Sequence, residues 1–201
     1  MFAIVESGSI TSMPSGNKGI TIGDNQYPAA IFSLWTEAER NAIGVYTVEI
    51  DYTNKKDEEY YVNTKITYAF SGGKVTGSYG TATAKAIADS DAVDEDGNKL
   101  KDENGNQIIN EGLKTIKKRE IDVQCAGLLA PSDWMYIKAG EEGTTMDSGW
   151  KTWRASVRTK CNSLQTQIDN AADVDALAAL FTYTTTDGVT SRPLGEFPVK
   201  E

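Results

Sequence analysis

The 201-residue chain contains no histidine. That removes histidine-based acid/base triads, His-ligated zinc or copper, proximal-histidine haem and imidazole pH switches. Cys125 and Cys161 are too few for the disulfide framework of a small secreted domain, and their spacing is not that of a CxxC metal knuckle. As a nucleophile, Cys161 would need activation by lysine, arginine or a helix terminus. It lies on an apolar stripe and Cys125 is flanked by Val123 and Leu128, so both read as buried structural thiols with no need of a disulfide. Asp94-x-Asp96-x-Asn98 opens with calcium-loop spacing, but Lys99 and Gly105 stand where an EF-hand needs glycine and a bidentate glutamate. Acidic Gly-Asn turns, with at most an opportunistic ion site, are the expectation there. Neither Gly-x-Gly-x-x-Gly nor a P-loop is present, and the glycines of residues 77–85 are wrongly spaced for phosphate. A glycosidase would need two converging carboxylates, one with a raised pKa. No Asp or Glu sits in an apolar frame that would raise one. The sequence therefore assigns no catalytic residue, no cofactor and no metal ligand.

One constellation stands apart: Leu128, Leu129, Pro131, Asp133 and Trp134, then Trp150, Trp153, Arg154, Val157 and Arg158. On a helix, Arg154 and Arg158 are i, i+4 neighbours at the edge of the tryptophan stripe. The spacing predicts that the arginines pair with Asp133 or cap the preceding helix's carbonyls, while Trp134 packs on Trp150 or Trp153. Two readings stay open and are compatible. The face is a structural lock for a helical hairpin, or it grips a partner as interface hot spots do. Asp133, Trp134, Trp150, Trp153, Arg154 and Arg158 are the partner-binding candidates.

The run Leu-Leu-x-Pro-Ser-Asp-Trp over 128–134, followed by Trp-x-x-Trp-Arg-x-x-Val-Arg over 150–158, resembles the C-terminal domain of phage tail assembly chaperone proteins. Trp153 stands where that family commonly has tyrosine, and Val157 where it has leucine. The N-terminal stretch through Val45 is similar to the opening module of phage tail-fibre assembly and structural proteins, and the acidic insert to inserts in such chains. The resemblance covers about half of the chain and leaves residues 51–90 unaccounted for. It implies a non-enzymatic bacteriophage tail protein, made in the host cytoplasm and located in the virion tail. Such a protein would form a homo-oligomer and bind tail fibre or other tail structural proteins. The version expected is a virion-associated structural or adaptor subunit; the alternative is an assembly chaperone released afterwards. Members of the family often end soon after the second arginine, whereas this chain continues to PLGEFPVKE. A different class, a carbohydrate-binding adhesin, would use Trp35, Tyr60, Tyr61 or the later tryptophans as stacking platforms.

The elements that must position these residues follow from periodicity. The chain reads as α+β: a β-rich N-terminal module with one short helix, then a C-terminal helical hairpin or bundle. The domains expected are 1–88, a docking or oligomerisation module; 89–111, an acidic arm of Gly-Asn turns; and 112–201, helical. Phe2–Glu6 is a strand rather than a secretion signal. Ile20–Tyr27 turns at Gly23-Asp24-Asn25. Thr36 and Glu39 form a capping box, with Gly44 closing the helix. Val45–Ile50 alternates as a strand, NKKDEEYY is a solvated loop, and 62–70 with 74–84 make a hairpin around Ser71-Gly72-Gly73. DEDGNKLK and DENGNQII repeat one eight-residue idea. Leu113–Leu129 is a helix with Ile116, Ile121, Val123, Leu128 and Leu129 as its apolar set. Trp150, Trp153, Val157, Cys161, Leu164 and Ile168 make a stripe along a longer helix. Asp173–Phe181 is a further helix and the tail is extended. Net charge is −9, with 20 basic and 29 acidic residues, which disfavours nucleic acid and anionic membrane surfaces. No apolar run is long enough to span a bilayer.

Overall fold

The structure, a computed structural model, describes residues 1–200. Its fold is α+β, β-rich in the N-terminal part and helical in the C-terminal part. Contacts divide the chain into two units, Met1–Thr83 and the remainder from Ala84.

In the first unit, strands β1 (Phe2–Glu6) and β2 (Ser9–Ser12) form a hairpin. β3 (Ile20–Ile22) and β4 (Asn25–Tyr27) form another, turning at the expected glycine. Two short helices follow instead of one: α1 (Ile31–Leu34), a single turn, and α2 (Glu37–Ala42). The capping box of α2 is complete. Glu39 N–H donates to Thr36 Oγ1 at 3.3 Å, and Thr36 N–H donates to the Glu39 carboxylate at 2.7 Å. Gly44 ends the turn at φ +81°, and a Cβ there would lie 2.6 Å from Val5 O. Then come β5 (Val45–Asp51), the two-residue β6 (Tyr61–Val62), and the hairpin of β7 (Thr67–Ser71) with β8 (Lys74–Ser78). β9 (Thr83–Ala84) marks the boundary.

The main sheet has the order β2-β1-β5-β8-β7, with β5 and β8 parallel and the other pairs antiparallel. Its edge strands β2 and β7 approach one another, so the sheet curls. Alternation sorts the two faces. Ala3, Val5, Val48 and Val75 gather with Tyr46, Ile50, Tyr68 and Phe70 on the inner side. Ile4 and Val45 point outward to Ile31 and Phe32 of α1, with Tyr27 and Trp35 beside them.

In the second unit the acidic repeat builds twice over the same loop. Asp94 Oδ1 accepts from Asp96 N–H at 3.0 Å and Asn98 N–H at 2.8 Å. Asp102 Oδ1 does the same with Asn104 at 2.9 Å and Asn106 at 2.8 Å. Gly97 and Gly105 share φ +84°, a left-handed turn that an L side chain resists. The three residues at eight-residue spacing close a ring of amides. Leu100 N–H donates to Ala92 O at 2.8 Å, Ile108 N–H to Leu100 O at 2.9 Å, and Ala92 N–H to Ile108 O at 2.8 Å. The strand pair β10 (Ser90–Asp91) and β11 (Ile109–Asn110) forms the root.

This root is tied to the first long helix, α3 (Leu113–Leu129). Leu113 and Lys114 N–H donate to the carbonyls of Ala86 and Ile87, while Asp89 accepts from Gly112 N–H at 2.7 Å and Thr115 Oγ1 at 2.9 Å. Residues 84–88, assigned from sequence to the β-rich module, and the 89–111 arm therefore cluster with the helices. After α3, a 3₁₀ turn at Ala130–Ser132 carries Pro131 into α4 (Asp133–Glu141). α5 (Ser148–Asn170), capped by Asp147, and α6 (Val174–Phe181), capped by Asp173, follow. The hairpin β12 (Thr184–Thr186) with β13 (Val189–Ser191), not anticipated, precedes the tail.

α3 packs along α5. The α5 core is Arg154, Val157, Cys161, Leu164 and Ile168, the predicted stripe from Val157 onward, with Arg154 buried where Trp150 and Trp153, only half-buried, were expected. The α3 stripe differs from expectation. Leu113, Lys117, Ile121 and Cys125 are its buried residues, while Ile116 and Val123 face out. Strict i+4 spacing won, because Lys117 lays its stem inward. Its amine reaches Glu120 at 2.9 Å and lies 4.9 Å from the centre of the Phe181 ring.

Candidate functional site

The α3–α4 corner is held by Arg154. Its Nη2 pairs with Asp133 Oδ1 at 2.5 Å, and its Nη1 donates to Leu129 O at 2.6 Å and to Ser132 Oγ. One arginine thus performs both roles foreseen for the pair. It neutralises Asp133 in the first turn of α4 and caps a carbonyl at the end of α3, where the helix leaves its last carbonyls unpaired. Arg154 is 7% exposed and Ser132 is completely buried. The Asp133 side chain is 58% exposed, so the ion pair has one dry and one wet end. Arg158 is exposed and takes no part in this claw.

The tryptophans separate differently from expectation. Trp150 and Trp153, one turn apart on α5, stack edge to face with centroids 5.6 Å apart. Trp134 stands outside that pair, 55% exposed on α4 beside exposed Tyr136 and Ile137. Expected packing of Trp134 onto the α5 rings is replaced by a groove of about 310 Å³ whose walls include Trp134, Met135, Lys138, Met146 and Trp150. α4 starts from the 3₁₀ turn and buries Ala139 rather than Trp134. A larger depression of about 680 Å³ lies on the outward face of α3, lined by Glu111, Ile116, Arg119 and Val123. It holds none of the partner-binding candidates, and two of its walls are Ile116 and Val123, which the sequence places in the core.

The tail was missed as part of this site. Leu194 is buried, its N–H donates to Leu180 O at 3.0 Å, and Trp153 Nε1 donates to Pro198 O at 3.0 Å. Lys200 Nζ lies 5.4 Å from the centre of the Trp150 ring. The available signal was the set Leu194, Phe197, Pro198 and Val199, apolar residues crowded into a short segment otherwise polar.

The other candidates are occupied locally. Tyr60 is buried, and Trp35 meets Tyr27 edge-on at 6.0 Å. Both cysteines are free and buried. Burial, then the neighbouring Cys125 thiol and Asp122, push the Cys161 thiol up to about 12. Hydrogen bonds hold the carboxyl of Asp94 (chiefly from Asn98), that of Asp102 (from Asn106) and that of Asp89 (from Gly112) below the ordinary aspartate value. A carboxylate tuned in that direction stays ionised and serves as an anchor for amides.

By fold this is an α+β protein whose helical unit is locked by a buried arginine and shows an aromatic face beside it. Compared with known proteins, the chain matches no family model, no curated protein and no solved structure. Among the described residues, no helix is long and apolar enough to cross a membrane.

Proposed function

We propose that this chain is a non-catalytic bacteriophage tail protein. It would be a virion-associated structural or adaptor subunit that binds tail fibre or neighbouring tail proteins through its helical unit. The observation that carries the reading is the Asp133–Arg154 contact at 2.5 Å. Its two residues come from the two separate segments that resemble the tail assembly chaperone domain, so the pattern corresponds to one physical corner. In this reading Asp133 and Arg154 build the corner and do not touch the partner. Trp134, Tyr136 and Ile137, exposed on α4, are the contact residues, with Arg158 on the neighbouring helix. Exposed aromatic and arginine side chains are the residue types that dominate protein interfaces.

Quantitative mass spectrometry of purified phage particles tests it, with copy number taken against the major capsid protein. A stoichiometric signal in multiples of three or six per particle supports a permanent subunit. Absence from particles, with recovery from infected-cell lysate on a fibre protein, makes it a chaperone that departs. Absence from both refutes the tail assignment.

A further inference from the structure

Segment 197–200 lies against the tryptophan pair in the manner of a bound peptide. Up to Glu196 the chain is firmly anchored. Leu194 is buried, Lys160 and Gln167 donate to its carbonyl at 3.4 Å each, and Glu196 pairs with Arg192 at 2.8 Å and accepts from Tyr183 Oη at 2.8 Å. Beyond Glu196 the contacts change in kind. The Trp153 indole N–H holds the Pro198 carbonyl, Lys200 sits over Trp150, and Val199 remains 85% exposed above a shallow cavity that it shares with Thr152 and Trp153.

An indole donating to the carbonyl of a proline-bearing extended segment, with an aromatic floor beneath, is the recurrent way proteins recognise such peptides. Proline restricts the segment beforehand and lowers the cost of ordering it. Any contact of this sort made within one chain is available between two identical chains, since the same surfaces are present on both.

We propose that Trp150 and Trp153 form a docking face for an extended Phe-Pro-Val-Lys segment, occupied in the resting chain by its own residues 197–200. When that occupant leaves, the face takes the same segment of a second copy. This holds whether or not the chain belongs to a phage tail.

Nuclear magnetic resonance of the Trp153 indole N–H tests it, the resonance being assigned by its loss in Trp153→Phe. Deleting residues 197–201 is expected to move the resonance and speed its exchange with water, with an unchanged thermal melt showing that the chain is folded. A synthetic peptide of residues 192–200 should return it towards its original position, saturably, with a Kd on the order of millimolar, the range in which a short tether supplies its own ligand. The uncut chain should respond less to the same peptide, because its own tethered segment competes for the face. Unlabelled Trp153→Ala chain, whose segment has lost its partner, should act on the labelled truncated chain as the peptide does. The proposal is overturned if neither peptide nor donor chain moves the truncated chain's resonance, or if the uncut chain responds equally. Should the truncation unfold, Pro198→Gly in the full-length chain replaces it, read by the same resonance and the same peptide.

Discussion

Replacing Arg154 by methionine separates the buried end of the claw from its exposed end. Methionine fills most of the stem volume, so the change isolates the guanidinium. Two buried acceptors, Leu129 O and Ser132 Oγ, then lose a charged donor, each such hydrogen bond being worth about 1.5–3 kcal/mol. Part of that loss is made good, because Ser132 Oγ already donates to Leu129 O at 2.9 Å, and because the buried guanidinium no longer has to be desolvated. Asp133 returns to water easily, its side chain being more than half exposed. The net expectation is a loss of about 2–3 kcal/mol for Arg154→Met. Asp133→Asn is expected to cost about 1 kcal/mol or less, as at a solvent-screened pair, and Arg158→Ala less than about 0.5 kcal/mol. Urea unfolding followed by far-UV circular dichroism, which reports the helical unit, measures all three. A cost below about 1 kcal/mol for Arg154→Met, or equal costs for Arg154→Met and Asp133→Asn, would refute the assignment of the energy to the α3 carbonyl cap.

Gly112→Ala should cost about 3 kcal/mol or more, since the new Cβ would lie 2.3 Å from the Ala88 carbonyl carbon; a melt within a degree or two of the parent would contradict this. In the native chain Cys161 should resist alkylation at mildly alkaline pH and react fully in denaturant, because its thiol titrates at about 12; rapid native labelling there counts against burial. Asp89 has its folded pKa depressed by the Gly112 and Thr115 hydrogen bonds, so its contribution is present above the ordinary aspartate value near 3.8 and disappears as pH falls through the lower, folded value. Asp89→Ala should therefore flatten the acid limb of the stability curve, and an unchanged limb would show that the carboxylate does not anchor α3.

What could be read from the chain beforehand was whatever a local rule decides. The capping box at Thr36 and Glu39, the hairpin turning at Gly72-Gly73 and the α5 stripe through Val157, Cys161, Leu164 and Ile168 each depend on neighbours within a few residues. So does the repeated Asp-x-x-Gly-Asn loop. The α3 face was misjudged because its buried set includes Lys117, whose inward course is decided by Glu120 and by the distant Phe181 ring. For the site, the pairing of Asp133 with an arginine was legible from charge and helical spacing. Which arginine pairs was not, since that depends on the rotation of α5 against the α3–α4 corner. Neither was the seat of Pro198 on Trp153, a contact between residues distant in sequence. The single-turn helix at Ile31–Leu34 carries no side-chain cap, so it left no mark to read.

The ring of amides joining Ala92, Leu100 and Ile108 bears on how this chain can change length. If one eight-residue repeat, Leu100–Gln107, were lost, Ile108 would donate to Ala92 O and accept from Ala92 N–H, taking the place of Leu100. That reciprocal pair is the next rung of the ladder already formed by Ser90 with Asn110 and Asp91 with Ile109. A three-cornered loop would shorten to a plain hairpin while the Asp89–Gly112 anchor of α3 stayed where it is. By this geometry the loss of one whole eight-residue repeat is a change of length that the arm can accommodate without moving the start of α3.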